Sequence, residues 1–472
     1  MKLRMLYVAI VLALVLSLIG QPAQVKAAGY GTKFITSITF QNVGTGPATV
    51  SVEFYPANSS TPVLFTIVDP VPQNAAKSLH VGSVSGLTTS AFTGSAVMSS
   101  DQPLVATLVQ LPQAPSTVRN RPLSNGFSSG SDYVLIPTVL KNTFATHSVF
   151  SVQNIDSVGA DLTVRFVPVA GTIITKTLTN LPVGSAQYYD LATMAELGAS
   201  FNGSVQILAK KTGTQNPGAV VATSMELLLN TDGVYAFEGT PNSANKIYMP
   251  SAICNAFGGQ NTFYAVQNVG TTDAVVNVRY SSGKVDGPIT IGGGKKESFP
   301  GCGKVTGLNA AGFSGSATIE SVGAAIVAVG KKSGAGLSTA FLGVPSGASK
   351  LALPYVRWTT AQWTTGARQR SFIAVQNVGA ADIAADQVTV KYYDNNGGLV
   401  GTHALGALVV GAKLNSNASI LGAAGNEFGY FGSAIGGGVI VEGPAGSQLA
   451  VVVTVSSIGV GEDYNGTPLV VP

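Results

Sequence analysis

Cysteine, histidine, tryptophan and charge are all scarce in this sequence: 472 residues contain 2 Cys, 3 His, 2 Trp and 10% charged side chains. His80, His147 and His403 have no second His or Cys nearby at ligand spacing, which argues against a zinc site or a Ser-His-Asp triad. Acidic residues are scattered, and no Asp-x-Asp-x-Asp-Gly string offers EF-hand ligands. The runs Gly292-Gly293-Gly294 and Gly436-Gly437-Gly438 precede no helical pattern, so neither reads as a phosphate loop. The chain is therefore expected to be no enzyme and to hold no metal and no cofactor. Glycine is abundant, at 57 residues, but it lacks the three-residue period of collagen. Hydrophobic residues make up 45%, enough for packed cores.

A nucleic-acid partner is disfavoured as well. The formal charge is +4, yet Lys2, Arg4 and Lys26 fall in an N-terminal leader that has no acidic residue. Without those three, 23 of the 26 basic residues remain against 22 acidic, and no basic footprint survives. Lys2 and Arg4 precede the apolar run Met5–Ile19, and Val25-Lys26-Ala27 fits a signal-peptidase site, so residues 1–27 read as a secretory signal. The run falls short of the roughly 20 residues that a stable span needs. No second run of that length follows. The expectation is a secreted or cell-surface protein without a membrane span after cleavage.

What the sequence does have is repetition. Gln41-Asn42-Val43-Gly44 returns as Gln153-Asn154-Ile155, Gln267-Asn268-Val269-Gly270 and Gln376-Asn377-Val378-Gly379, at separations of 112, 114 and 109 residues. A second phrase marches in step: Phe92-Thr93-Gly94-Ser95, Phe201-Asn202-Gly203-Ser204, Phe313-Ser314-Gly315-Ser316 and Phe431-Gly432-Ser433. A third phrase, Gly239-Thr240-Pro241, Gly343-Val344-Pro345 and Gly466-Thr467-Pro468, closes the later units. A period near 110 suits a complete small domain.

Inside each unit apolar and polar residues alternate, as in Val50, Val52 and Phe54 or Val276, Val278 and Tyr280, which is the mark of a half-buried antiparallel strand. About seven short strands per repeat suit an immunoglobulin-like sandwich. The expected fold is all-β: four tandem immunoglobulin-like antiparallel sandwiches, at 28–132, 133–245, 246–349 and 350–472. Helical turns are expected only at Ala192–Leu197 and Ile420–Glu427. In its Asn-x-Gly turn and Val-x-Val-x-Tyr strand the repeat resembles the Ig-like repeats of bacterial cell-surface proteins, CARDB-like modules among them. That resemblance implies surface display and adhesion or scaffolding, with no catalytic residues to carry over.

Four groups of residues stand out. Gln41, Asn42, Gln153, Asn154, Gln267, Asn268, Gln376 and Asn377 read as turn-forming structural residues, since Asn bonds turn backbone readily. Cys254 and Cys302, both in the third repeat of an exported chain, are expected to form a structural disulfide. Trp358 and Trp363 sit in an insertion flanked by Arg357, Arg368 and Arg370, and read either as an aromatic platform for an extracellular glycan or as one Trp filling the sandwich core with the other covering it.

The fourth group concerns strand count. Repeats two to four open with Val134-Leu135-Ile136-Pro137, Ile247-Tyr248-Met249-Pro250 and Leu351-Ala352-Leu353-Pro354. Repeat one shows no such strand, while Leu469, Val470 and Val471 before Pro472 match it and read as a donor strand for another copy, or as the end of repeat four's own sheet. The function expected is a non-enzymatic structural or adhesive rod that associates with copies of itself or with other surface proteins. The alternative is a carbohydrate-binding accessory protein or a cryptic polysaccharide hydrolase.

Overall fold

A computed structural model describes residues 32–87, 92–113, 120–229, 231, 233–308, 312–359, 368–429, 437–457 and 460–469. The leader 1–27, Trp363, Val470 and Val471 lie outside the described residues. The fold is all-β, with eight antiparallel sheets that pair into four sandwiches.

In repeats two to four, four roles make up the first sheet. A hairpin strand pairs with the alternating strand, which pairs with the Gly-Ser strand, which pairs with the opening strand. The opening strands are Tyr133–Lys141, Lys246–Cys254 and Lys350–Leu353. The Gly-Ser strands are Gly94–Ser100, Phe201–Lys211, Phe313–Val322 and Gly438–Glu442. The alternating strands Val50–Pro56, Ala160–Pro168, Ala274–Tyr280 and Thr389–Tyr393 turn Phe54, Phe166, Tyr280 and Tyr392 into the cores, each at most 6% exposed.

The second sheet runs from a short edge strand to the Gln-Asn strand, then to an apolar strand, then to a closing strand. Its Gln-Asn strands are Phe34–Asn42, Thr146–Asn154, Asn261–Asn268 and Arg370–Asn377. Each ends on an Asn that makes the same three bonds. Asn42 Nδ2 donates to the Gly46 and Val71 carbonyls while its Oδ1 accepts from the Gly44 amide, and Asn154, Asn268 and Asn377 repeat the set. One side chain thereby closes the turn and ties it to the facing sheet.

Two short 3₁₀ segments, Leu191–Thr193 and Ala195–Leu197, and one at Ala418–Gly425 take the place of the expected helical turns. Cys254, ending its opening strand, is disulfide-bonded to Cys302 with a Cα–Cα distance of 5.0 Å. In repeat four the sequence match to Gly432-Ser433 misleads. Those residues lie outside the described set, and the register pairs Tyr392 with Val439 as Phe54 pairs with Ala96, which puts Gly437-Gly438 at the Gly94-Ser95 position.

The rod expectation fails. Repeat four returns to repeat one: Arg121 pairs with Glu462 at 2.8 Å, Asn125 Nδ2 donates to the Asn465 carbonyl, and the Gly461 amide donates to Asn120. Gly397 of repeat four, at φ +83°, lies so close to Gln73 that an added Cβ would fall 1.8 Å from its carbonyl oxygen. The closing strands Leu123–Asn125, Val234–Glu238, Leu337–Leu342 and Val460–Asn465 meet at the centre and leave no water-sized space there. The four sandwiches form a closed ring. Solution scattering should return a radius of gyration near 22 Å, the compact-chain value. Four repeats end to end, each about 30 Å long, would give roughly 35 Å.

Candidate strand-acceptor groove

Polar phrases that look like turn chemistry in the sequence also build the junctions of the ring. Ser95 Oγ donates to the Gly184 carbonyl of the next repeat at 2.6 Å, and Ser316 Oγ donates to Gly411 at the same distance. Gln153 and Gln376 reach back with Nε2, each to its own turn (Gly184 or Gly411, 3.1 Å) and more weakly to the Ala96 or Ala317 carbonyl (3.4 Å). Gln267 is as fully buried as Gln376, and neither of its amide atoms has a hydrogen-bond partner among the described residues. At Gly184, φ +73°, an added Cβ would fall 2.5 Å from the Tyr55 ring, so this close approach between repeats requires glycine.

Three junctions are built alike and one is not. The core of repeat two contains Ala265, Val329 and Ala340 of repeat three. The core of repeat three contains Val452 of repeat four, and that of repeat four contains Val109 and Leu123 of repeat one. The core of repeat one contains no buried residue of repeat two among those described. Charge follows the same division. Lys331–Glu226, Lys332–Asp463 and Arg121–Glu462 pair across the first three junctions at 2.5–2.8 Å, with both partners largely buried. Between repeats one and two, Glu238 instead accepts a hydrogen bond from the Asn125 amide, and burial pushes its carboxyl up to about 7.

The odd junction is where an opening strand is missing. The first sheet of repeat one has three strands, Val63–Thr66, Val50–Pro56 and Gly94–Ser100, and nothing among the described residues pairs with the outer edge of the last. Beside that edge lies a groove of about 750 Å³. Ala96, Met98, Leu108 and Phe127 line it from repeat one, and Ser151 and Thr223 from repeat two. Thr467 of repeat four lines it too. Elsewhere the corresponding core residues of the Gly-Ser strand, Val205, Ile207, Ala317 and Ile319, are at most 1% exposed, whereas Ala96 and Met98 pack against the core of repeat one and are only partly buried.

Phe127 marks a fourth third-phrase that sequence comparison missed. The Gly126 amide donates to the Ala106 carbonyl as Gly239, Gly343 and Gly466 donate to Ala222, Ala328 and Val451. The next residue then bridges to the opening strand at Thr240–Leu135 and Val344–Tyr248, but Phe127 meets no such strand among the described residues and is 38% exposed. Its signal in sequence was only a Gly followed by an aromatic.

For Trp358 and Leu469 the structure matches the structural one of the two readings that the sequence allows. Trp358 is 8% exposed, with the Phe372 ring edge-on at 5.9 Å and the Arg370 guanidinium 4.7 Å over its face. Its face is taken, so it offers no platform to a glycan. Thr467 and Pro468 pair with Ala352 and Leu351, and the Leu469 amide donates to the Lys350 carbonyl at 2.9 Å, so within its own chain Leu469 extends repeat four's sheet. No helix among the described residues is long and apolar enough to cross a membrane.

No family model matches the chain, CARDB-like modules included, and no curated protein matches it. Among solved structures, the chain is similar to a tetra-tandem repeat in the extending region of a large adhesion protein. The two are 10% identical over 92% of this chain and 95% of that one, with a TM-score of 0.10, too low to carry an argument about fold or function.

Proposed function

We propose that this protein is an exported, non-enzymatic structural and adhesive protein that holds its partners by taking an extended strand into repeat one. One observation carries the reading: a Gly-Ser strand whose outer edge no described residue pairs with, beside a 750 Å³ groove, where the other repeats carry a strand. Main-chain bonds along such an edge supply affinity, and alternate side-chain pockets supply selectivity. The leader and the disulfide support export. Partners of this kind are copies of the chain or other β-rich surface proteins.

A labelled peptide of residues 133–141, the opening strand of repeat two, tests the reading. Fluorescence anisotropy should show saturable binding to the exported chain at roughly micromolar concentration. Ala96→Trp, which places a large ring in the groove, should abolish it. No binding at about 100 μM peptide, or binding indifferent to Ala96→Trp, contradicts the acceptor.

A further inference from the structure

We infer that one face of the ring docks onto an uncharged lipid bilayer, which it enters with the side chains of Phe144 and Phe257. Each stands in the turn between the opening strand and the Gln-Asn strand, three residues past the strand ends at Lys141 and Cys254. The two are 74% and 67% exposed.

Neither turn has the residue its backbone asks for. Thr143 and Thr146 bridge each other, so Phe144 and Ala145 make a two-residue loop, at φ +51° and +49°. Ala256 and Gln260 bridge likewise around Phe257, Gly258 and Gly259, and Phe257 stands at φ +49°. Hairpin loops with positive φ favour Asn, Asp or Gly, and a bulky side chain there is strained. Twice at the same position the chain keeps a phenylalanine that adds both strain and exposed apolar surface to the fold. The benefit therefore lies outside the fold.

The polar groups beside these rings are turned inward. Thr146 Oγ1 donates to the Phe144 carbonyl at 3.0 Å, and Asn261 Nδ2 donates to the Gly259 carbonyl at 3.1 Å. Asn142 Nδ2 donates to the Ala199 carbonyl and Thr143 Oγ1 to the Phe201 carbonyl, both at 2.9 Å. Residues 142–146 and 255–261 include no charged side chain. An uncharged tip whose turn carbonyls are bonded from within enters an apolar medium without stripping water from them. A sugar is gripped through hydrogen bonds as well as ring faces, and the groups that could supply them are already engaged.

Ring geometry holds both tips at one height. Ser95 donates to Gly184, Ser204 to Gly294 and Ser316 to Gly411, so successive repeats meet through the same contact. The step from repeat four to repeat one copies it, with Gly438 packed over Gln41 and Asn74. One rotation that closes after four steps is cyclic, and it sets equivalent turns on the same face. The two loops differ in length and in the residues beside the ring, so a partner that reads shape would need two different pockets. A flat bilayer needs only two apolar tips at equal depth.

Co-sedimentation of the exported chain with phosphatidylcholine vesicles tests the inference. Binding should saturate with lipid and should be indifferent to about 0.5 M salt and to added anionic lipid, because no charge takes part. Phe144→Asn should weaken it at least about tenfold, and the double variant Phe144→Asn/Phe257→Asn should weaken it by at least as much again. Asparagine suits the left-handed backbone, so both variants should melt no lower than the parent chain, which separates lost binding from lost fold. No sedimentation at about millimolar lipid overturns the inference. So does binding that needs anionic lipid and vanishes in salt, or binding that the double variant retains. Each of these outcomes is independent of whether the 133–141 peptide binds, so the strand acceptor stands or falls separately.

Discussion

Repeat one and repeat two share their phrases, their turn asparagines and their second sheet, yet only one of them is finished. In repeat two, Val205 and Ile207 are fully buried because Tyr133–Lys141 lies alongside and packs onward against repeat three. In repeat one the equivalent strand has the same alternation and, among the described residues, no neighbour on its outer edge, so Met98 lines the groove. The difference shows what an opening strand does here. It completes one sandwich and cements the next junction in a single stroke; in repeat one, where no such strand is among the described residues, the outer sheet edge stays unpaired and the junction to repeat two rests instead on Ser95, Gln153 and Phe34.

The largest effect should come from core truncation on the two sides of this comparison. Ile207→Ala should cost about 2–5 kcal/mol, the range for a buried large-to-small change, whereas Met98→Ala should cost under about 1 kcal/mol. Chemical denaturation of the two variants checks it, and equal losses would mean that repeat one is closed after all. Next in size, the 133–141 peptide at a hundredfold excess over its dissociation constant should stabilise the unmodified chain by about 2.7 kcal/mol. It should not stabilise the Ala96→Trp variant.

The smallest effect concerns the charge at the open junction. Glu238 has a folded-state pKa near 7, above its ordinary 4.5, because burial disfavours the carboxylate. The folded state therefore holds the proton more tightly, and this contribution to stability is full below about pH 4.5, falls as pH rises toward 7 and is gone above it. Glu238→Gln keeps an acceptor for the Asn125 amide without the charge. It should raise stability at pH 8 by on the order of 1 kcal/mol and leave pH 4 unchanged. A thermal melt at each pH decides, and an equal change at both would assign the effect to packing.

The strands were legible in sequence because alternation of Val, Phe and Tyr with polar residues leaves a helix no continuous apolar face, and because a Gln-Asn pair marks the same turn four times. The ring was not legible. Its junctions use backbone carbonyls such as Gly184 and Gly411, which have no residue-type signature, and tandem spacing carries no information about rotation between neighbours. The partner of Gly184, Ser95, looked like part of a strand opening and nothing more. Register also overruled identity in repeat four, where Gly437-Gly438 and not Gly432-Ser433 occupies the paired position. Composition gave Trp358 a prominence that burial removes, since an indole enclosed by Phe372 and Arg370 is core. That no described residue supplies repeat one with an opening strand agrees with the lack of an apolar-proline segment before Gln41, which is a local fact of the sequence, but the groove beside the strand edge is a property of two repeats together.

Amide hydrogen exchange on Gly94–Ser100 and on Gly203–Ala209 of the same molecule tests the central claim most directly. An edge strand keeps alternate amides bonded to Val50–Pro56 and exposes the others, while its counterpart in repeat two is bonded on both sides. In dilute protein, alternate amides of Gly94–Ser100 should exchange within seconds to minutes while those of Gly203–Ala209 stay protected, and peptide 133–141 should slow the first set to match the second. Uniform protection of Gly94–Ser100 in the monomer, with no response to the peptide, would contradict an open strand position in repeat one.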